Sequence, residues 1–222
     1  MKKRDALIAE LSRDLSPVKR APNINLVAMI WFLSSAFYVV VMTGFFDPVR
    51  PGAFDQLSSS FRFLFETLLG IAAIVWLSLL AFRAAVPGAL TRWFMAGGFL
   101  LLGVWLFQYV IGLVSPALDP SMFGKRSHCF FETMVYALPP ILAGLYFIRR
   151  LYPLRPVRTA MWISLAAGML PALHMQIACM YEPQHILPMH ILPRLLMVIV
   201  GALIAAVWPG RYQAKYSEWV KS

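Results

Sequence analysis

Charge is scarce in this sequence. Only 14% of its 222 residues are Asp, Glu, Lys or Arg, where a soluble domain carries about 25%. So little charge excludes both a well-solvated globular domain and a disordered, highly charged chain. There are just two cysteines, which excludes a disulfide-dense scaffold. They do not form Cys-x-x-Cys, so disulfide-exchange chemistry lacks its paired thiols. His-Glu-x-x-His and Gly-x-Ser-x-Gly are missing, as are internal repeats and Gly-rich phosphate loops. No haem site is legible, because His174 stands inside an apolar run without a facing partner. These absences lead us to expect no catalytic residue, no resident cofactor and no enzymatic activity.

What is present is apolar: 60% of the residues are hydrophobic, gathered in runs of about 20, the length that crosses a hydrocarbon layer as a helix. The runs predict spans over Leu26–Phe46, Phe63–Phe82, Trp93–Val114, Phe130–Ile148, Thr159–Met180 and Ile191–Trp208. The fold class is therefore all-α, a polytopic membrane protein of six transmembrane helices. With the N-terminus inside, fifteen of the 20 Lys and Arg fall on inner segments, a bias that sets orientation and places both termini in the cytosol. The basic lead is too long, and the first apolar run too extended, for a cleavable signal. The expected organisation is a cytosolic tail over 1–23, a transmembrane domain over 24–210 and a cytosolic C-terminal tail over 211–222. A net charge of +10 would fit nucleic acid on a soluble protein. Here no block interleaves basic and aromatic residues, so the charge is assigned to topology and to anionic lipid of the bilayer, with no direct nucleic-acid binding.

Cys129 begins the fourth span and Cys179 ends the fifth. A short inner connection makes these helices antiparallel neighbours, which puts both thiols at the outer face at similar depth. Around them lie His128, Glu132, His174 and Glu182, with each carboxylate three residues after a cysteine and hence on its helix face. Thiol, imidazole, thioether and carboxylate form the donor set that a soft or borderline metal ion selects. Three readings stay open: a structural disulfide, a redox sensor, and a site for a transient thiophilic metal ion. The proline pair Pro139-Pro140 and Pro171 fall within these same two spans, where each removes a backbone donor and a kink is expected.

The N-terminal tail carries Leu7, Ile8, Leu11 and Leu15 at helical spacing, with charged residues on the other side, up to Pro17. A helix this short is marginal alone. Asp5, Glu10 and Asp14 interleave the basic residues, which favours a protein groove over lipid as its partner.

The lead Leu11-Ser12-Arg13-Asp14-Leu15-Ser16-Pro17-Val18 and the six spans with their two outer cysteines resemble the NrsF family of bacterial inner-membrane anti-sigma factors. The turn Leu151-Tyr152-Pro153-Leu154-Arg155-Pro156, the Ala166-Ala167-Gly168 segment and Gly201-Ala202 belong to the same likeness. The resemblance implies an extracytoplasmic-function sigma factor as partner, held at the membrane and released when heavy-metal or oxidative stress acts on the cysteines. Cys129 and Cys179 would then be the sensing pair. The segment around Asp14 and Leu15, with Leu7 and Leu11 on its stripe, would contact the sigma factor. An alternative of another class is a small transporter or channel using Glu66, Glu132, His174 and Arg194 as a polar path.

Overall fold

The computed structural model describes residues 5–6, 22–46, 48–151 and 153–207. The tail residues Leu7, Leu11, Asp14 and Leu15, and the C-terminal segment from 208, lie outside the described residues. No strand occurs among those described.

The elements run α1 (Ile24–Phe46), α2 (Ala53–Ser59), α3 (Phe61–Ala84), α4 (Arg92–Val114), α5 (Cys129–Arg149), α6 (Pro156–Ala178), α7 (Pro183–Ile186), a π-helical turn (Leu187–Ile191) and α8 (Leu192–Val207). Six segments are long and apolar enough to cross a membrane: α1, α3, α4, α5, α6 and the continuous stretch Pro183–Val207. Local chemistry sets several starts. Asn23, Ser60 and Thr91 accept the backbone N–H of Leu26, Phe63 and Phe94, satisfying donors that the first turns of α1, α3 and α4 leave open. Pro156 opens α6, where a missing N–H costs nothing.

The helix α6 is the hub. It is the most buried of the spanning segments and packs against α1, α3, α5 and α8. Its small residues Ala160, Ala166 and Ala167 are fully buried and let neighbouring backbones approach. The closest approach is to α8, where a Cβ built on Gly201 would overlap the Ser164 hydroxyl. Both α5 and α6 run continuously past their internal prolines. Beside Pro139-Pro140, the Trp31 indole of α1 donates to the Pro140 carbonyl at 3.0 Å, one of the polar contacts that join helices where lipid supplies no hydrophobic drive. Outward-facing side chains are apolar, as lipid requires: Phe37, Phe45, Leu100, Phe107 and Leu203 are all exposed.

The expected spans agree with these helices to within a few residues, except the last. That segment begins at Pro183, eight positions before Ile191, and the added turns carry two histidines. Its backbone is also irregular. Pro188 removes a donor inside the helix, and the Leu192 N–H reaches back five residues to the Leu187 carbonyl, closing a π turn. The short helix α2, which the apolar pattern did not announce, lies between the first two spans and touches α6.

Candidate functional site

Cys129 is the first residue of α5, and Cys179 is the C-cap of α6. Antiparallel packing of the two helices brings both to one end of the bundle. Their Sγ atoms are 2.9 Å apart, both as free thiols, so about 0.9 Å of approach separates the pair from the bond length of a disulfide. Cys129 is 2% exposed and Cys179 0%. They form a small core of their own with Tyr136, Met175 and Met180, against which Met42 packs.

Two loops hold the pair. Arg50 donates its Nε–H to the Ile177 carbonyl at 3.0 Å and its backbone N–H to the Ala178 carbonyl at 3.1 Å, satisfying acceptors that the end of α6 leaves open. Gly124, at φ 78°, passes so close to Arg50 that a Cβ there would stand 2.5 Å from the arginine's own Cβ. The loop that delivers Cys129 is thus pressed against the loop that caps α6. Buried Arg126 does the rest. It pairs with Glu132 at 3.0 Å and donates to the Thr43 carbonyl at 3.1 Å, while its own carbonyl lies 3.4 Å from the Cys129 sulfur.

The hydrogen bond from Cys129 is the main cause that pushes the Cys179 thiol below its ordinary pKa. Burial opposes this, and His185 and His190 assist it. Burial lowers the pKa of Arg50, which the neighbouring Cys179 partly offsets. The direction of this shift gives Cys179 the greater tendency of the two to thiolate character.

The structure brings His185 and His190 to the sulfurs. One ligand atom from each of Cys129, Cys179, His185 and His190 lies within 4.8 Å of all the others. His185 Nε2 is 3.8 Å from Cys179 Sγ, and the two imidazole rings meet edge to face at 5.2 Å. His190 is fully buried, and neither of its ring nitrogens makes a hydrogen bond of normal geometry.

The other candidates lie elsewhere. Glu132 is engaged by Arg126. His128 is exposed at the N-cap of α5. Half-buried His174 leaves its Nε2 without a partner and stands outside the four-atom group. Glu182 precedes α7, and its backbone carbonyl accepts the N–H groups of His185 and Ile186 while its carboxylate makes no cap. The sequence places His185 and His190 in the outer half with His128 and His174, but ahead of the predicted last span, where no periodicity singles them out as ligands. The signal available was their five-residue spacing across Pro188, which only a π turn makes meaningful.

Of the polar residues of the transporter reading, both carboxylates are engaged locally, while Arg194 Nε and Nη1 and His174 Nε2 are buried without a hydrogen bond. Arg62 pairs with Glu66 at 3.0 Å, Glu132 is held as above, and buried Arg194 lies over the Trp105 ring at 4.6 Å. The cavity beside Glu66, Gln108 and Gln176 has a volume of ≈ 10 Å³, about room for one water. At the end opposite the cysteines, a larger cavity of ≈ 300 Å³ lies between the α3–α4 turn and the start of α6, with Arg92, Arg155 and Arg158 on its wall.

Six apolar helices around a buried pair of reduced thiols define a multi-pass helical membrane protein with a sulfur site at one end. The chain belongs to the NrsF family, described as negative regulator of sigma F, whose model matches residues 11–208 and so takes in all six helices and the sulfur site. Neither a curated protein nor a solved structure matches the chain.

Proposed function

We propose that this protein is an anti-sigma factor of the bacterial inner membrane. It sequesters an extracytoplasmic-function sigma factor on its cytosolic side and releases it when the cysteine pair meets oxidative or heavy-metal stress in the periplasm. The observation that carries the reading is the pair of free thiols, 2.9 Å apart and buried, in a chain of the NrsF family. The basic bias supports the orientation: Arg83, Arg92, Arg149, Arg150, Arg155 and Arg158 all lie at helix ends or in the turns between them, at the end away from the sulfurs.

The signal has two forms. In oxidation, the two thiols lose two protons and two electrons to a two-electron oxidant such as a peroxide, which is reduced to water as the Cys129–Cys179 bond forms. In metal stress, the thiols lose their protons to solvent and the sulfurs bind the ion. Either event changes the distance between the ends of α5 and α6. Because α6 touches most of the bundle, the change is carried toward the loops around Arg92 and Arg155, at the end of the bundle where Arg83 donates to Asn25 at the start of α1.

Magnitudes limit the switch. Moving an equilibrium from mostly bound to mostly free takes about 5.5 kcal/mol of differential energy. Closing a loop of about 50 residues contributes on the order of 4 kcal/mol, and less inside a packed bundle. A disulfide alone is thus a marginal switch, sufficient where the sigma complex is poised near its release point or where a metal ion adds its own bias.

The test is a sigma-dependent transcriptional reporter in cells carrying Cys129→Ser, Cys179→Ser or both. Loss of stress induction in all three variants is the expected result; unchanged induction in all three would overturn the sensing role.

A further inference from the structure

We propose that His185 and His190 complete, with Cys129 and Cys179, a four-coordinate site for a divalent, borderline-soft metal ion such as Zn²⁺. The proposal deepens the reading of the cysteine pair as the sensing site and rests on it only for that pair's role, because the site itself follows from geometry.

The first observation is convergence. Four ligand atoms of two sulfurs and two imidazole nitrogens lie within 4.8 Å of one another. A tetrahedral ion with bonds of about 2.3 Å to sulfur and 2.0–2.1 Å to nitrogen holds its ligand atoms about 3.3–3.8 Å apart. The Cys179 Sγ to His185 Nε2 separation of 3.8 Å is at that value. The sulfurs, at 2.9 Å, would part by about 0.9 Å to admit the ion.

The second observation is the backbone that aims the histidines. In an α-helix, residues five apart point about 140° away from each other. Here the turn Leu187–Ile191 is π-helical, and a π turn closes between residues five apart. His185 and His190 therefore come to one side, their rings 5.2 Å apart. A π turn is an uncommon backbone choice and recurs at functional positions. Pro188 supplies its local cause, and the shared direction of the two imidazoles is its consequence.

The third observation is charge. His190 is wholly buried, with both ring nitrogens lacking a normal hydrogen bond, and an unpaired polar group in such a place is costly. A divalent ion with two thiolates and two neutral imidazoles has no net charge, which suits an enclosed apolar pocket. Glu132, three residues after Cys129, is already engaged by Arg126 and would upset neither the count nor the charge. Two sulfurs and two nitrogens in a tetrahedral set select zinc-like ions over magnesium or calcium. On binding, the thiol protons leave to solvent, and the metallated sulfurs can no longer form the disulfide until the ion departs.

The test uses the full chain purified in detergent under reducing conditions, with Zn²⁺ and Co²⁺ as the probes. One Co²⁺ per chain should bind, with visible bands of tetrahedral geometry and a near-ultraviolet sulfur-to-cobalt band, and Zn²⁺ should displace it. His185→Gln and His190→Gln should each weaken binding by more than the roughly 10–100-fold that loss of an outer-shell partner costs. Helical content measured by circular dichroism keeps misfolding separate from ligand loss. His190→Cys serves as the second variant: it should restore tight binding and strengthen the sulfur-to-cobalt band. Unchanged Co²⁺ affinity and spectrum in the folded His185→Gln/His190→Gln double variant would overturn the proposal, as would a wild-type protein that retains no ion. Binding by purified protein does not involve a sigma factor, so failure here leaves the reporter assay of the cysteine pair to stand or fall separately.

Discussion

Arg50 reaches across from the loop after the first span and caps the helix that ends in Cys179. Its Nε–H donates to the Ile177 carbonyl at 3.0 Å, two residues before the cysteine. This single side chain joins the α1–α2 connection to the sulfur site. Arg50→Gln should lower stability by about 1.5–3 kcal/mol, the scale of a hydrogen bond from a charged donor, read as an earlier unfolding midpoint in a denaturing-detergent titration. It also removes a positive charge beside Cys179.

The pH dependence of thiol reactivity follows from the Cys179 pKa, which the hydrogen bond from Cys129 holds below the ordinary thiol value. A lowered pKa means that thiolate persists as the pH falls. Reaction with a small thiosulfonate should therefore continue well below the pH at which an ordinary cysteine slows. In Cys129→Ser the hydroxyl is a different donor, and the profile should shift. A wild-type profile that turns off as an ordinary thiol's does would contradict a lowered Cys179 pKa.

Close packing of the hub should be sensitive to one methyl group. A Cβ at Gly201 would overlap the Ser164 hydroxyl, so Gly201→Ala should cost about 1–3 kcal/mol. Ser164→Ala should recover part of that loss, giving a non-additive double-mutant cycle by the same unfolding assay.

Orientation can be read directly. In a chain lacking Cys129 and Cys179, a cysteine placed at exposed Ser121 should react with a membrane-impermeant maleimide in intact spheroplasts. One placed at Leu154, which is 78% exposed at the other end, should react only after lysis. The reverse pattern would invert the proposed topology.

The tail prediction is independent of the sulfur site. Replacing Leu7, Leu11 and Leu15 with Ala should weaken capture of the sigma factor at least about tenfold, since a few apolar anchors carry most of such an interface. Asp14→Ala tests the polar side of the same segment. Capture at wild-type level by both variants would move the contact to the loops around Arg92 and Arg155.

The spans were legible because lipid demands long apolar runs, and that demand is written residue by residue. Five of the six helix limits emerged within a few positions. The sixth did not, because Pro183 and Pro188 interrupt the apolar pattern ahead of Ile191, where the predicted span began. The meeting of Cys129 with Cys179 was legible from span count alone, since a helix start and the end of the next antiparallel helix must share a level. The imidazoles were hidden for a different reason. His185 and His190 share no face under helical or strand periodicity, and only the π turn gives a spacing of five a common direction. Carboxylates three residues from each cysteine looked better placed, yet Glu132 is held by Arg126, whose position depends on a loop fold that no periodicity encodes.

Met42, Met175, Met180 and Tyr136 wall in the two sulfurs. In the proposed sensing role a chemical would have to be admitted before it could react, so molecular size and charge would rank the stimuli ahead of their intrinsic affinity for sulfur. Bulky oxidised thiols in the surroundings would go unnoticed while small, poorly hydrated agents pass. The speed of the alarm would then be set by how often this end of the bundle breathes.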